Sequence, residues 1–135
     1  MKYLIVALGI FLSTVAESNS PQIMNENVLG EYGIHLFFTE EEFIDTLHFS
    51  MDENGNLQGF MDVPNDFAGY ISELKIEGLE ISFDLFVPKN RARPQDLVFH
   101  YRGEFFDESL VQLKGFVTLK GEDDFVASFL GFKRN

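Results

Sequence analysis

The chain carries three histidines, no cysteine and a surplus of carboxylates, and these set the chemistry open to it. Without Cys, neither a thiolate nucleophile nor a thiolate metal site is available. A two-residue turn at Glu41-Glu42 would place His35 directly across from His48 on one outer strand face. Such a pair suits a metal or a pH response near about 6, but it lacks a third ligand, and no metal is assigned. Asp52-x-Asn54-Gly55-Asn56 begins like a calcium loop, yet the Glu required after the Gly is missing at its spacing, so the segment reads as a turn. Gly-x-Ser-x-Gly, phosphate-loop and dinucleotide fingerprints are not found in the chain. The reading therefore assigns no catalytic residue and no cofactor, and the expectation is a non-enzyme. Asp45 stands apart: alternation points it inward beside Leu47, where burial would raise its pKa.

The one dense cationic cluster is Pro88-Lys89-Asn90-Arg91-Ala92-Arg93-Pro94. Guanidinium forks at Arg91 and Arg93 suit a carboxylate or phosphate, with the two prolines limiting the loop's freedom. The plainer alternative is a charged rim loosely pairing with Glu40-Glu41-Glu42 and Glu122-Asp123-Asp124.

The elements that must hold these groups are strands. From Val28 onward, short segments alternate apolar and polar residues between Gly, Asn, Asp and Pro breaks. Eight are expected, over 28–38, 43–51, 57–63, 69–76, 79–87, 97–105, 110–119 and 124–133. Tyr32, Leu47, Phe49, Met61, Phe83, Phe99, Tyr101 and Val117 fall on one face; Glu31, His48, Asp84, His100, Arg102 and Lys114 fall on the other. Short connections make neighbours antiparallel, and an apolar face with two free edges is best hidden by closure. The expected fold is all-β: a single eight-stranded antiparallel up-and-down meander β-barrel. Four connections share one end, including 39–42, 64–68, 88–96 and 120–123, and that mouth is where a ligand would enter. Leu57-Gln58-Gly59 and Leu113-Lys114-Gly115 put glycine inside strands, as a tight corner needs.

Met1-Lys2, the apolar run Tyr3 to Leu12 and the small residues Ser13-Thr14-Val15-Ala16 have the order of a secretory signal peptide, cut after Ala16 or Ser18. Its apolar run is too short to span a bilayer, which takes about 20 residues, so no membrane span is expected. Residues 17–27 read as a flexible leader and 28–135 as the barrel domain. A periplasmic or secreted bacterial protein is expected. The formal net charge of −12 repels phosphate, so no nucleic acid is expected as partner.

Gly30-Glu31-Tyr32 in the first strand, with Lys133-Arg134 closing the last, resembles the calycin arrangement of lipocalins and avidins. In that family a Gly-x-Trp packs near a basic residue at the end of the barrel; here Tyr32 stands for the Trp. The resemblance runs over roughly Leu29 to Arg134 and extends to small bacterial lipocalin-like domains. It implies a carrier for a small apolar or amphipathic ligand. Tyr32, Phe49, Phe83, Phe99 and Tyr101 would line the site, with Arg91 and Arg93 at its rim.

The rival expectation is a filled barrel that acts as a protein-interaction or inhibitor module. Sixteen phenylalanines with no Trp are a marked bias, and Phe60, Phe86 and Phe116 alternate outward, as a homodimer or partner surface would require. A third expectation, an isomerase or cyclase, would need a buried ionisable pair inside the barrel.

Overall fold

A computed structural model describes residues 26–122 and 124–134. The expected signal peptide, most of the expected leader and Asp123 lie outside the described residues. The last residues of that leader, Glu26 and Asn27, open a short 3-10 turn, Glu26–Val28.

Nine strands follow among the described residues: β1 Gly30–Phe37, β2 Glu42–Met51, β3 Leu57–Val63, β4 Phe67–Tyr70, β5 Ser72–Glu77, β6 Glu80–Val87, β7 Leu97–Phe105, β8 Gln112–Leu119 and β9 Asp124–Arg134. All neighbours are antiparallel, in the order β4-β3-β2-β1-β9-β8-β7-β6-β5. The result is an almost closed up-and-down barrel.

The count is nine, where alternation predicts eight, because the expected strand 69–76 changes partner midway. Its first part, β4, pairs with β3 as far as the Ile71 amide, which donates to the Gly59 carbonyl at 2.9 Å. Its second part, β5, pairs with β6 from Ser72↔Asp84 onward. A bulge between Ser72 and Lys75 and a positive φ of 53° at Glu73 bend the chain at the hand-over. One bent stave thereby joins the two ends of the sheet. Gly59 makes room for it: a Cβ there would sit 2.9 Å from Ile71 Cγ1.

The core is the inner face. Tyr32, Ile34, Leu47, Phe49, Met61, Phe83, Leu85, Tyr101, Phe105, Leu113, Val117 and Phe129 are all buried there. The last strand, ambiguous by alternation, turns Ala127, Phe129 and Gly131 inward after a bulge between Phe125 and Ala127. Gly103 and Gly115 face each other across β7 and β8, and the Phe129 ring fills the space their side chains would occupy. These strand glycines serve curvature and close packing.

The two ends differ. At the tight-turn end, Val28 of the 3-10 turn and Leu110 are buried, and the Tyr32 hydroxyl donates to the Leu110 carbonyl at 2.6 Å. Lys133 donates to the Asn27 carbonyl and lies 6.0 Å over the Tyr32 ring. A plug and a basic residue therefore close this end. The other end is the mouth.

Candidate functional site

Six half-buried apolar side chains ring the mouth: Phe38, Val63, Phe67, Leu97, Phe99 and Val126. Each stands within a few residues of a strand end at the loop side. Phe43 continues the ring outward and meets Phe38 edge to face, centroids 5.3 Å apart.

Asp45 lies beneath this ring. It faces Ile34 across β1–β2 and is only 5% exposed. Burial, with the neighbouring charges of Asp62 and Asp66, pushes its carboxyl up from 3.8 to about 6. On the far wall, Tyr101 is buried and stacked on Phe83, centroids 4.6 Å apart, and tilted against Phe129 at 5.6 Å. Burial raises the Tyr101 phenol far above its usual range, and the charge of Asp45 adds to this. Neither Asp45 nor Tyr101 receives a side-chain hydrogen bond from another described residue. A buried polar group left unbonded costs about 1–3 kcal/mol, so each is a cost that the fold carries.

The residues expected to line the site divide by depth. Tyr32 and Phe49 meet edge to face at 5.7 Å in the plugged end and serve as core packing. Phe83 and Tyr101 form a stacked pair at mid-height, and Phe99 reaches the mouth. Phe38, Val63 and Phe67 complete the ring without having been anticipated. The sequence places Phe67 in the 64–68 connection, whereas it opens β4; its alternation with Gly69 and Ile71 is the signal for an inward strand residue.

The two arginines part company. Arg93 forks onto Asp66 at 3.1 and 3.2 Å and also donates to the Pro88 carbonyl, while Asn90 donates to the same Asp66 carboxylate at 3.1 Å. The Asp66 carboxyl is held below the usual range, chiefly by its hydrogen bond from Arg93. This pair ties the 64–66 and 88–96 loops together at the mouth. Arg91 is exposed and makes no ion pair with another described residue.

The histidines do not pair as the spacing predicted. His48 faces Glu31, and His35 faces Ile44. The β1–β2 connection takes the four residues 38–41, closed by the Phe38 amide on the Glu41 carbonyl, and the register moves with it. His35 instead contacts Glu42 at 3.0 Å. Among the described residues no group of three His, Asp or Glu side chains gathers as a metal site. The Asp52 carboxylate is taken up by the Asn54 and Asn56 amides of its own turn.

Two features lie on the outer face. Asp84, expected on this face, is 3% exposed, covered by His100 Nδ1 at 2.7 Å and Lys120 Nζ at 2.6 Å. Burial alone would raise its carboxyl; the hydrogen bonds from Lys120 and His100 outweigh that and hold it below the usual range. The second feature is an open groove of about 780 Å³ across β5 to β9. Its walls mix Lys75, Arg102 and Lys114 with Glu77, Glu80 and Glu104, and Phe37, Phe116 and Leu130 supply apolar surface. No helix among the described residues is long and apolar enough to cross a membrane.

Comparison with protein-family models, with curated proteins and with solved structures finds no match for this chain.

Proposed function

We propose that this is an exported, lipocalin-like binding protein whose barrel receives a small apolar or amphipathic molecule at the loop mouth. The observation that carries the reading is the asymmetry of the two ends. One is plugged by Val28, Leu110 and the Tyr32 hydroxyl; the other presents a ring of half-buried apolar side chains above Asp45. Pockets that take small molecules have this composition, mostly apolar walls with few polar groups. The Asp66–Arg93 clamp supports it by holding the rim loops in place before a ligand arrives, which lowers the cost of ordering them. The basic residue beside Tyr32 at the closed end agrees with the calycin-like arrangement of the first and last strands.

Titration with N-phenyl-1-naphthylamine, a neutral apolar fluorophore, tests the reading. Saturable one-to-one enhancement is expected, abolished by Phe67→Asp at the mouth and unchanged by Phe60→Asp on the outer wall. Enhancement that never saturates, or that survives Phe67→Asp, contradicts it.

A second reading has its own support. Phe37, Phe60, Phe86 and Phe116 stand exposed on the outer face, with Tyr70 63% exposed beside Phe60 at 5.0 Å. Together with the groove over β5 to β9, this face fits a protein-interaction module.

A further inference from the structure

We infer that the ligand's polar end is a cation, an ammonium or amidinium group received by Asp45 beneath the mouth; the inference rests on the mouth reading above. Three observations converge on it.

The first is the state of Asp45 itself. A carboxylate so deeply buried ordinarily has a cation or several amide donors for company. Here no described residue donates to it, and the charged groups acting on it are carboxylates, Asp62 and Asp66. Arg93, in the 88–96 loop, has its fork on Asp66 and on the Pro88 carbonyl. The polar demand under the mouth is thus for hydrogen-bond donors and positive charge.

The second is the Tyr101 hydroxyl. It lies within electrostatic reach of Asp45 and also lacks a hydrogen-bond partner among the described residues. An ammonium group carries three donors and no acceptor, so it can serve the Asp45 carboxylate and the Tyr101 oxygen together. A carboxylate or phosphate at the same place would face Asp45 with like charge. A neutral hydroxyl would satisfy the hydrogen bonding and leave the charge unmet.

The third is the surroundings. Phe38, Phe67 and Phe99 bring aromatic rings to the ring of side chains above Asp45, and aromatic faces favour cations over neutral groups. The whole chain, at −12, draws cations toward it and holds anions off. The ligand class is therefore an amphipathic amine: an apolar or aryl body lodged among the mouth side chains, with its charged end down against Asp45.

Displacement of N-phenyl-1-naphthylamine by 4-phenylbutylamine and by 4-phenylbutan-1-ol, at pH 7.5, separates the ammonium from the body that carries it. In the wild-type protein the amine is expected to compete at least tenfold better than the alcohol. In Asp45→Asn that preference is expected to fall to within twofold. An alcohol that equals the amine in the wild type, or an amine preference that survives Asp45→Asn, overturns the cation assignment and leaves the apolar mouth standing. A mouth that takes neither the dye nor either competitor overturns both readings. The wild-type comparison decides by itself should the variant fail to fold.

Discussion

The charge of Asp45 reaches Tyr101 inside the barrel and adds to the burial that raises its phenol, while burial with the charges of Asp62 and Asp66 raises Asp45 to about 6; neither receives a side-chain hydrogen bond from another described residue. The pair is the polar focus of an inner face that otherwise reads as core, and its cost to the fold can be measured.

Because the folded chain holds the Asp45 proton more tightly than the unfolded chain, the penalty is absent below about pH 3.8 and complete above about pH 6. A shift of this size corresponds to about 1–3 kcal/mol once screening at the open mouth is allowed for. Asp45→Asn should therefore melt higher than wild type at pH 7.5, by several degrees, and match it near pH 3.5. Thermal unfolding followed by circular dichroism at the two pH values checks this. An equal gain at both, or a loss at pH 7.5, would show that Asp45 is stabilised by contacts of another kind.

Asp84 has the opposite sign. Its carboxyl lies below 3.8 in the folded protein, so its contribution is present above that pH and is lost as pH falls through the folded value. Asp84→Asn is expected to lower the melting temperature at pH 7, leaving Lys120 and His100 with a weaker partner, and the deficit should shrink in strong acid. A deficit independent of pH would mean that packing, and not the charge, is what the variant disturbs.

Gly115 has no room for a side chain. A Cβ would meet the Arg102 carbonyl oxygen, lie 2.6 Å from Gly103 Cα and 2.8 Å from the Phe129 ring. Backbone cannot yield as a flexible side chain does, so Gly115→Ala should cost at least the 1–3 kcal/mol or so typical of overpacking. Gly69→Ala, with open space around it, serves as the control. Urea unfolding midpoints compare the two, and similar midpoints would contradict the packing described.

Tyr32→Phe removes the hydroxyl that satisfies the Leu110 carbonyl in the plugged end. Leaving that buried acceptor unbonded should cost about 1–3 kcal/mol. Dye binding at the mouth should stay as it was, since the change lies at the far end. Loss of binding without loss of stability would place the ligand deeper than the mouth.

Much of this architecture is legible in the sequence, for reasons that differ from strand to strand. Leu57–Val63 and Leu97–Phe105 run where period-two alternation puts them; burial alternates with the pleat in the first from Gly59 and in the second from Tyr101. The hand-over at Ile71 is not legible: a bulge costs one residue of register and leaves no change of composition. The same limit applies to His35 and His48, whose pairing depended on the length of the 38–41 connection. Asp45 was readable as an inward carboxylate from its place beside Leu47, but its lack of donors is a property of the assembled mouth. Alternation puts Asp84 on the outer face, but its cover, His100 and Lys120, comes from other segments of the chain and is not legible in the sequence. Arg91 and Arg93 have equal standing in the loop sequence, and only the fold shows that Arg93 clamps Asp66 while Arg91 makes no ion pair with another described residue.

The most direct measurement is a 15N–1H titration of the isotopically labelled protein with N-phenyl-1-naphthylamine. The account predicts saturable shifts confined to the mouth, centred on the amides of Asp45, Phe67 and Phe99. Saturable shifts centred on Arg102, Lys114 and Phe116 would contradict it and move the binding site to the outer groove.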